Sequence, residues 1–284
     1  MLRLLPLGIP FLGIFCGGLA LALAQSFGFF LPAPSPQAGA SWHAGYDALF
    51  QGLFPASFVF TLYVALASSA LATALGAAVA YLIWLLPESL RPAAAVYKIP
   101  LILPHIAVAF IILVLFSQSG FLASIGHALG LVGRPADFPA LLFAGNGLGL
   151  IAAYAFKGLG FVILLAYSML ARLDRRLATA ARMLGAGGPA IFWRIALPHM
   201  APALHSCFII LFLYAFGGFD IPYLLSESNP GMLSILTYNL YFKRDLANRP
   251  TAMAALVLMF LFSTFFISLY VRMARRLTGA ERKL

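Results

Sequence analysis

The stretch TAARMLGAGGPAIFWRIALP, residues 179–198, lies between two long apolar runs, and its reading decides the fold. It carries Arg182 and Arg194, a joint of Gly185, Gly187, Gly188 and Pro189, and an amphipathic second half. Glycine admits positive φ and proline cannot continue a helix, so the joint separates two short helices, expected over 177–184 and 190–197. In the second, Ile191, Phe192, Ile195 and Ala196 share one face. Pro198 marks the passage into the next apolar run. Two short helices at an angle make a projecting knob. Such a knob suits a groove in another protein, or a surface of anionic lipid headgroups.

Around this segment the chain is mostly grease. Of its 284 residues, 63% are hydrophobic and 9% charged, against roughly 25% charged in an average soluble domain. A water-soluble fold of this size cannot hide so much apolar surface, so the solvent is lipid. The net charge of +10 does not indicate nucleic acid, because the basic residues sit at the ends of apolar runs and line no single face. Cys16 and Cys207 both lie within apolar runs, which argues against a disulfide framework.

A helix needs about 20 residues to cross about 30 Å of hydrocarbon. Runs of that kind are expected at 5–30, 54–86, 100–116 or slightly beyond, 147–170, 199–224 and 251–271. The third is kinked near Pro104, and the fourth contains Lys157. The first is too long for a signal-peptide core and lacks a small-residue cleavage site directly after it, so it reads as a retained helix. The fold class is therefore all-α, a polytopic membrane protein of about six transmembrane helices.

The basic residues give the orientation. With six spans both ends share one side, and that side receives Arg3, Arg91, Lys98, the 172–194 arginines and the basic tail, thirteen of the eighteen Lys and Arg residues. The other side receives Arg134, Lys243, Arg244 and Arg249. Both termini and the 179–198 segment are expected in the cytoplasm, with the chain in the bacterial inner membrane.

The segment resembles a loop found in the integral membrane subunits of binding-protein-dependent ABC importers. That loop has the form E-A-A, three residues, G, nine residues, I, one residue, L-P. Ala180, Ala181, Gly185, Ile195, Leu197 and Pro198 stand in that register, and Thr179 occupies the place of the glutamate. The segment also lies where the family has it, between the fourth and fifth spans on the basic side. The resemblance implies the type I ABC importer transmembrane fold, with a first helix and linker over 1–53, the transporter domain over 54–272 and a basic tail over 273–284. It implies that the 174–198 loop seats in a cleft of a cytoplasmic ABC ATPase dimer, with Phe192 and Trp193 holding it in the socket. The other implied partners are a second permease subunit, the same or related, and a solute-binding protein. The stretches 216–242 and 245–259 look most like permeases of the polyamine, thiamine, iron and sulfate group, so the substrate is expected to be a polyamine or another small charged solute.

The residues exclude other chemistry. A phosphate-cradling loop needs glycine before its lysine, and Lys98, Lys157, Lys243 and Lys283 follow Tyr, Phe, Phe and Arg. The five histidines show no metal-ligand pairing, and the eight acidic residues are scattered. No catalytic residue, metal site or cofactor is expected on this chain; ATP and magnesium belong to the partner ATPase. His105, beside Pro104, is expected to pack helices or line a pore. The alternative is a secondary transporter or channel-like protein without an ATPase, which would show two related halves or a filter.

Two charges fall within or near the spans. An unpaired lysine at mid-bilayer costs about 2.5–3.5 kcal/mol, so Lys157 must find a partner or a cavity. Asp220 follows Gly217 and Gly218 and precedes Pro222, where a bend is expected. Either the two charges pair or reach the interface and merely orient helices, or Asp220 lines the translocation path and receives a cationic solute. Between the last two spans, 226–250 mixes turn formers with aromatics, and a short re-entrant or surface helix is expected around 233–241. This loop and the one at 120–139 are expected to meet a binding protein or anchor in headgroups.

Overall fold

The computed structural model describes residues 5–29, 43–227, 229–243 and 245–281. Residues 30–42 and the basic residues Arg3, Arg244, Arg282 and Lys283 lie outside them. Among the described residues every regular element is helical. In chain order these are α1 (Leu5–Ser26), α2 (Ala44–Gln51), α3 (Phe54–Leu85), α4 (Ile99–Ile102), α5 (His105–Phe116), α6 (Phe121–Ala128), α7 (Leu148–Leu170), α8 (Arg175–Met183), α9 (Gly188–Ile191), α10 (Leu197–Gly217), α11 (Asp220–Leu225), α12 (Leu233–Tyr238) and α13 (Arg249–Glu281). Six helical stretches are long and apolar enough to cross a membrane: Gly8–Ser26, Phe54–Leu85, His105–Ala128, Leu148–Leu170, Gly188–Gly217 and Leu246–Arg272. They fall close to the expected runs, with the third shifted past Pro104 to His105–Ala128 and the sixth starting five residues earlier, at Leu246. The fifth begins eleven residues earlier than expected, at Gly188, and ends at Gly217.

That revision has a local cause. The second half of the 179–198 segment is not a separate short helix ending at Pro198. It runs from α9 through a wide turn at Phe192–Ala196 directly into α10. The Leu197 N–H donates to the Phe192 carbonyl, five residues back. Pro198 has no N–H to give and its ring crowds the preceding turn. The widened π-type turn accommodates the proline without breaking the helix.

The chain forms two compact units. One draws on Met1–Thr61 and Ser228–Leu284. In it α13 packs against α1, α2 and α12, with Phe58 and Phe262 edge to face at 5.0 Å. The Thr61 hydroxyl accepts the Leu233 N–H at 2.9 Å, tying the start of α12 to α3. Helix α12 and the π turn Asn239–Lys243 that continues it supply the helix expected near 233–241.

The other unit, Leu62–Glu227, holds the remaining helices around α7. Helices α4, α5, α10 and α11 all pack on α7. One end of this unit has a core of Tyr81, Ile83, Trp84, Ile163, Leu170, Ile191 and Met200, all buried. The 174–198 segment is rooted in that core.

Candidate functional site

The projecting segment begins at Asp174, whose carboxylate accepts the Arg176 N–H at 2.9 Å and caps α8. Helix α8 ends in a complete Schellman motif. The Ala186 N–H donates to the Ala181 carbonyl and the Gly185 N–H to that of Arg182, both at 2.9 Å. This closure puts Gly185 at φ +83°, the left-handed region that costs other residues about 1–2 kcal/mol. Gly187 is then extended, and Pro189 sits in the first turn of α9, where its missing N–H costs nothing. The glycine joint read from the sequence is thus a defined turn.

The expected loop residues divide into two sets. Thr179, Ala180, Gly185, Trp193 and Pro198 are exposed. Ala181, Phe192, Ile195 and Leu197 pack partly into the core, with Ile191 and Ala196 fully buried between them. Phe192, expected beside Trp193 in the socket, is partly buried within this chain. Its ring lies 5.2 Å from that of Tyr81 and faces inward, because it shares the face of Ile191 and Ile195. The outward aromatic is Trp193, 64% exposed, and it is joined by Met183 at 85% and Leu184 at 89%. Apolar side chains so open, beside Arg182 and Arg194, make a tip fit to press into another surface.

Two residues of α3 that sequence reasoning missed hold this segment in place. The Tyr81 hydroxyl donates to the Gly188 carbonyl at 3.0 Å, pinning the start of α9. The Arg175 guanidinium donates to the Trp84 carbonyl at 2.7 Å and lies 5.7 Å from the Trp84 ring. His199 adds a contact from one ring nitrogen to the Met169 carbonyl at 3.0 Å. Within the apolar run 54–86, Tyr81 and Trp84 were the available signal: amphipathic rings three residues apart beside the basic end.

The second set of expected residues lies elsewhere in the same unit. Lys157 does not pair with Asp220; its ammonium donates to the carbonyls of Pro100, Leu101 and Leu103 at 2.7, 3.4 and 2.5 Å. The reason is Pro104. Helix α4 stops at Ile102 and Leu103 turns extended, the conformation favoured before proline. Pro104 has no N–H for the Pro100 carbonyl four residues back, and Lys157 supplies the missing donor. Gly160 allows the approach, since a Cβ there would lie 2.7 Å from the Tyr97 carbonyl. Lys157 is therefore a positioning residue for the break before α5, its ammonium engaged with these three carbonyls.

Asp220 is exposed at the start of α11, after the bend expected from Gly217 and Gly218. Gly218 is extended and separates α10 from α11. Aromatic and imidazole rings lie on the helices packed there. His105 stands 4.9 Å from Tyr214, which meets Tyr154 edge to face at 5.8 Å.

Residues 72–279 match the family described as binding-protein-dependent transport system inner membrane component. The chain belongs to this family. Among curated relatives, the molybdenum transport system permease ModB of Escherichia coli K12 is 28% identical over 52% of this chain and 62% of its own length. The maltose/maltodextrin permease MalF of the same organism is 32% identical over 67% of this chain and 37% of MalF. A probable sulfate transport permease, cysT of Prototheca wickerhamii, is 30% identical over 50% of this chain and 59% of its own length. The chain thus spans about three fifths of the length of the ModB and cysT relatives. In three dimensions it superposes on a chain from the crystal structure of a bacterial alginate ABC transporter bound to an alginate pentasaccharide-bound periplasmic protein. There the TM-score is 0.78 at 21% identity, over 97% of this chain and 93% of the other. The inner membrane component family thus accounts for the helical fold and its six apolar stretches.

Proposed function

We propose that this chain is a permease subunit of an ATP-driven importer, with both termini and the 174–198 segment in the cytoplasm. A separate ATPase dimer, holding ATP and magnesium, grips the segment. A second permease subunit, the same or related, completes the path, and a binding protein delivers the solute. The observation that carries this reading is the tip of Met183, Leu184 and Trp193, open to solvent yet rooted through Ile191, Phe192 and Ala196 in the core. ATP-driven closure can move membrane helices only through a contact that is stiff behind and interlocking in front. Here the stiff side is visible: α9 is continuous with α10, so a push on the tip is a push on the span.

Asp220 is the charge we place on the translocation path, and Lys157 holds the broken helix beside it. The relatives named for molybdenum, sulfate and maltose transport support solute import in general and no polyamine in particular.

The test is Gly185→Trp. A Cβ at Gly185 meets no atom within 4 Å, but any side chain at φ +83° strains the turn, so the substitution is expected to displace the tip while sparing the rest of the fold. Membrane insertion is expected to survive, with ATPase co-purification and uptake both lost. If both persist in that variant, the reading loses its support.

A further inference from the structure

Thr179, where the resembling loop has a glutamate, lines a cleft between the end of α3 and α8. The cleft has a volume of about 140 Å³ and is lined by Trp84, Leu85, Arg175, Ala178, Thr179 and Arg182. That is room for the end of one side chain, far too little for a nucleotide. Its walls are fixed, since Trp84 and Ala178 are buried and Arg175 is tied to the Trp84 carbonyl.

Its charge is uncompensated from within. The Thr179 hydroxyl turns back to the Arg175 carbonyl of its own helix at 3.3 Å and offers no negative charge. The two acids nearest in sequence are engaged elsewhere. Asp174 caps the Arg176 N–H, and Glu88 pairs with Arg91 at 3.4 Å. Among the described residues Arg182 forms no ion pair, and the cleft holds two guanidinium groups with no carboxylate. Arginine presents a planar fork that matches a carboxylate with two parallel bonds.

We propose that this cleft receives a carboxylate side chain from the ATPase subunit, so that the partner supplies the acid that Thr179 does not. The proposal rests on the importer reading above, and it fixes the sign of charge on the partner. It has an unusual corollary. Restoring the glutamate at position 179 fills the cleft from within and excludes the partner's acid, so it weakens the assembly.

The experiment uses the full chain co-expressed with its P-loop ATPase subunit and purified in nanodiscs of stated phosphatidylglycerol content. Thr179→Glu is expected to reduce retained ATPase about tenfold. Arg182→Glu is expected to do the same and to be rescued by an acid-to-lysine change on the ATPase. Arg182→Gln, with a smaller loss in the same direction, serves if the charge reversal impairs folding. Full ATPase retention in Thr179→Glu overturns the proposal, as does an Arg182→Glu defect that tracks phosphatidylglycerol content and no ATPase charge, which would make the cleft a lipid phosphate site. Gly185→Trp separates the two claims. If it detaches the ATPase while the charge variants retain it, the cleft assignment fails and the importer reading stands. If the wild-type chain retains no ATPase, the importer reading itself fails.

Discussion

The 174–198 segment and the broken helix at 99–105 are both interruptions of apolar helix, yet they are built in opposite ways. The first is shaped by its own residues: Asp174 caps α8, Gly185 closes it, and Pro189 opens α9. The second is shaped from far along the chain, by Lys157 reaching three carbonyls more than fifty residues earlier. A break facing water can leave its backbone groups to solvent or to short-range caps. A break inside an apolar span must find a donor in protein, because lipid offers none. The difference explains why the cationic side chain within a span serves the backbone, while Arg182, outside it, remains available to a partner.

The largest effect expected from this contrast is at Lys157. Lys157→Met keeps an unbranched stem and removes the donor, leaving buried carbonyls unsatisfied at about 1–3 kcal/mol each. Thermal unfolding in detergent is expected to fall by several degrees, with Lys157→Arg intermediate. A melting curve unchanged by Lys157→Met would show that the break needs no such donor. Next is Asp220, exposed and outside that bonding. Asp220→Asn is expected to reduce uptake several-fold with unchanged melting, and wild-type uptake would remove Asp220 from the path. The smallest effect belongs to the strap on the projecting segment. Tyr81→Phe loses one hydrogen bond, about 0.5–1.5 kcal/mol, and is expected to lower solute-stimulated ATPase activity about twofold while leaving ATPase binding intact. If binding is lost as well, Tyr81 does more than steady the start of α9.

The same contrast governs what could be read in advance. The glycine joint, the bend before Asp220 and the apolar spans were legible because glycine, proline and hydropathy act within a few residues. Phe192 was legible too. It shares a face with Ile191 and Ile195, and that face is the one turned to the core. Lys157 was half legible. Its need for a partner followed from its depth, and Pro104 had already orphaned the Pro100 carbonyl, but nothing local connects positions 100 and 157. Tyr81 and Trp84 were hidden for the same reason, each meeting its partner across about a hundred residues. The continuity of α9 with α10 was missed because Pro198 reads as a helix break, and only the wide turn at Phe192–Ala196 absorbs it.

The central claim is that the open tip of the 174–198 segment is the place where a separate motor grips this chain. A photo-crosslinking amino acid placed at Trp193, in the chain co-expressed with its ATPase subunit, measures that contact directly. The account requires a covalent adduct with the ATPase that strengthens or weakens with nucleotide. Adducts with lipid alone, at every nucleotide state and with the ATPase present in the purified complex, would contradict it.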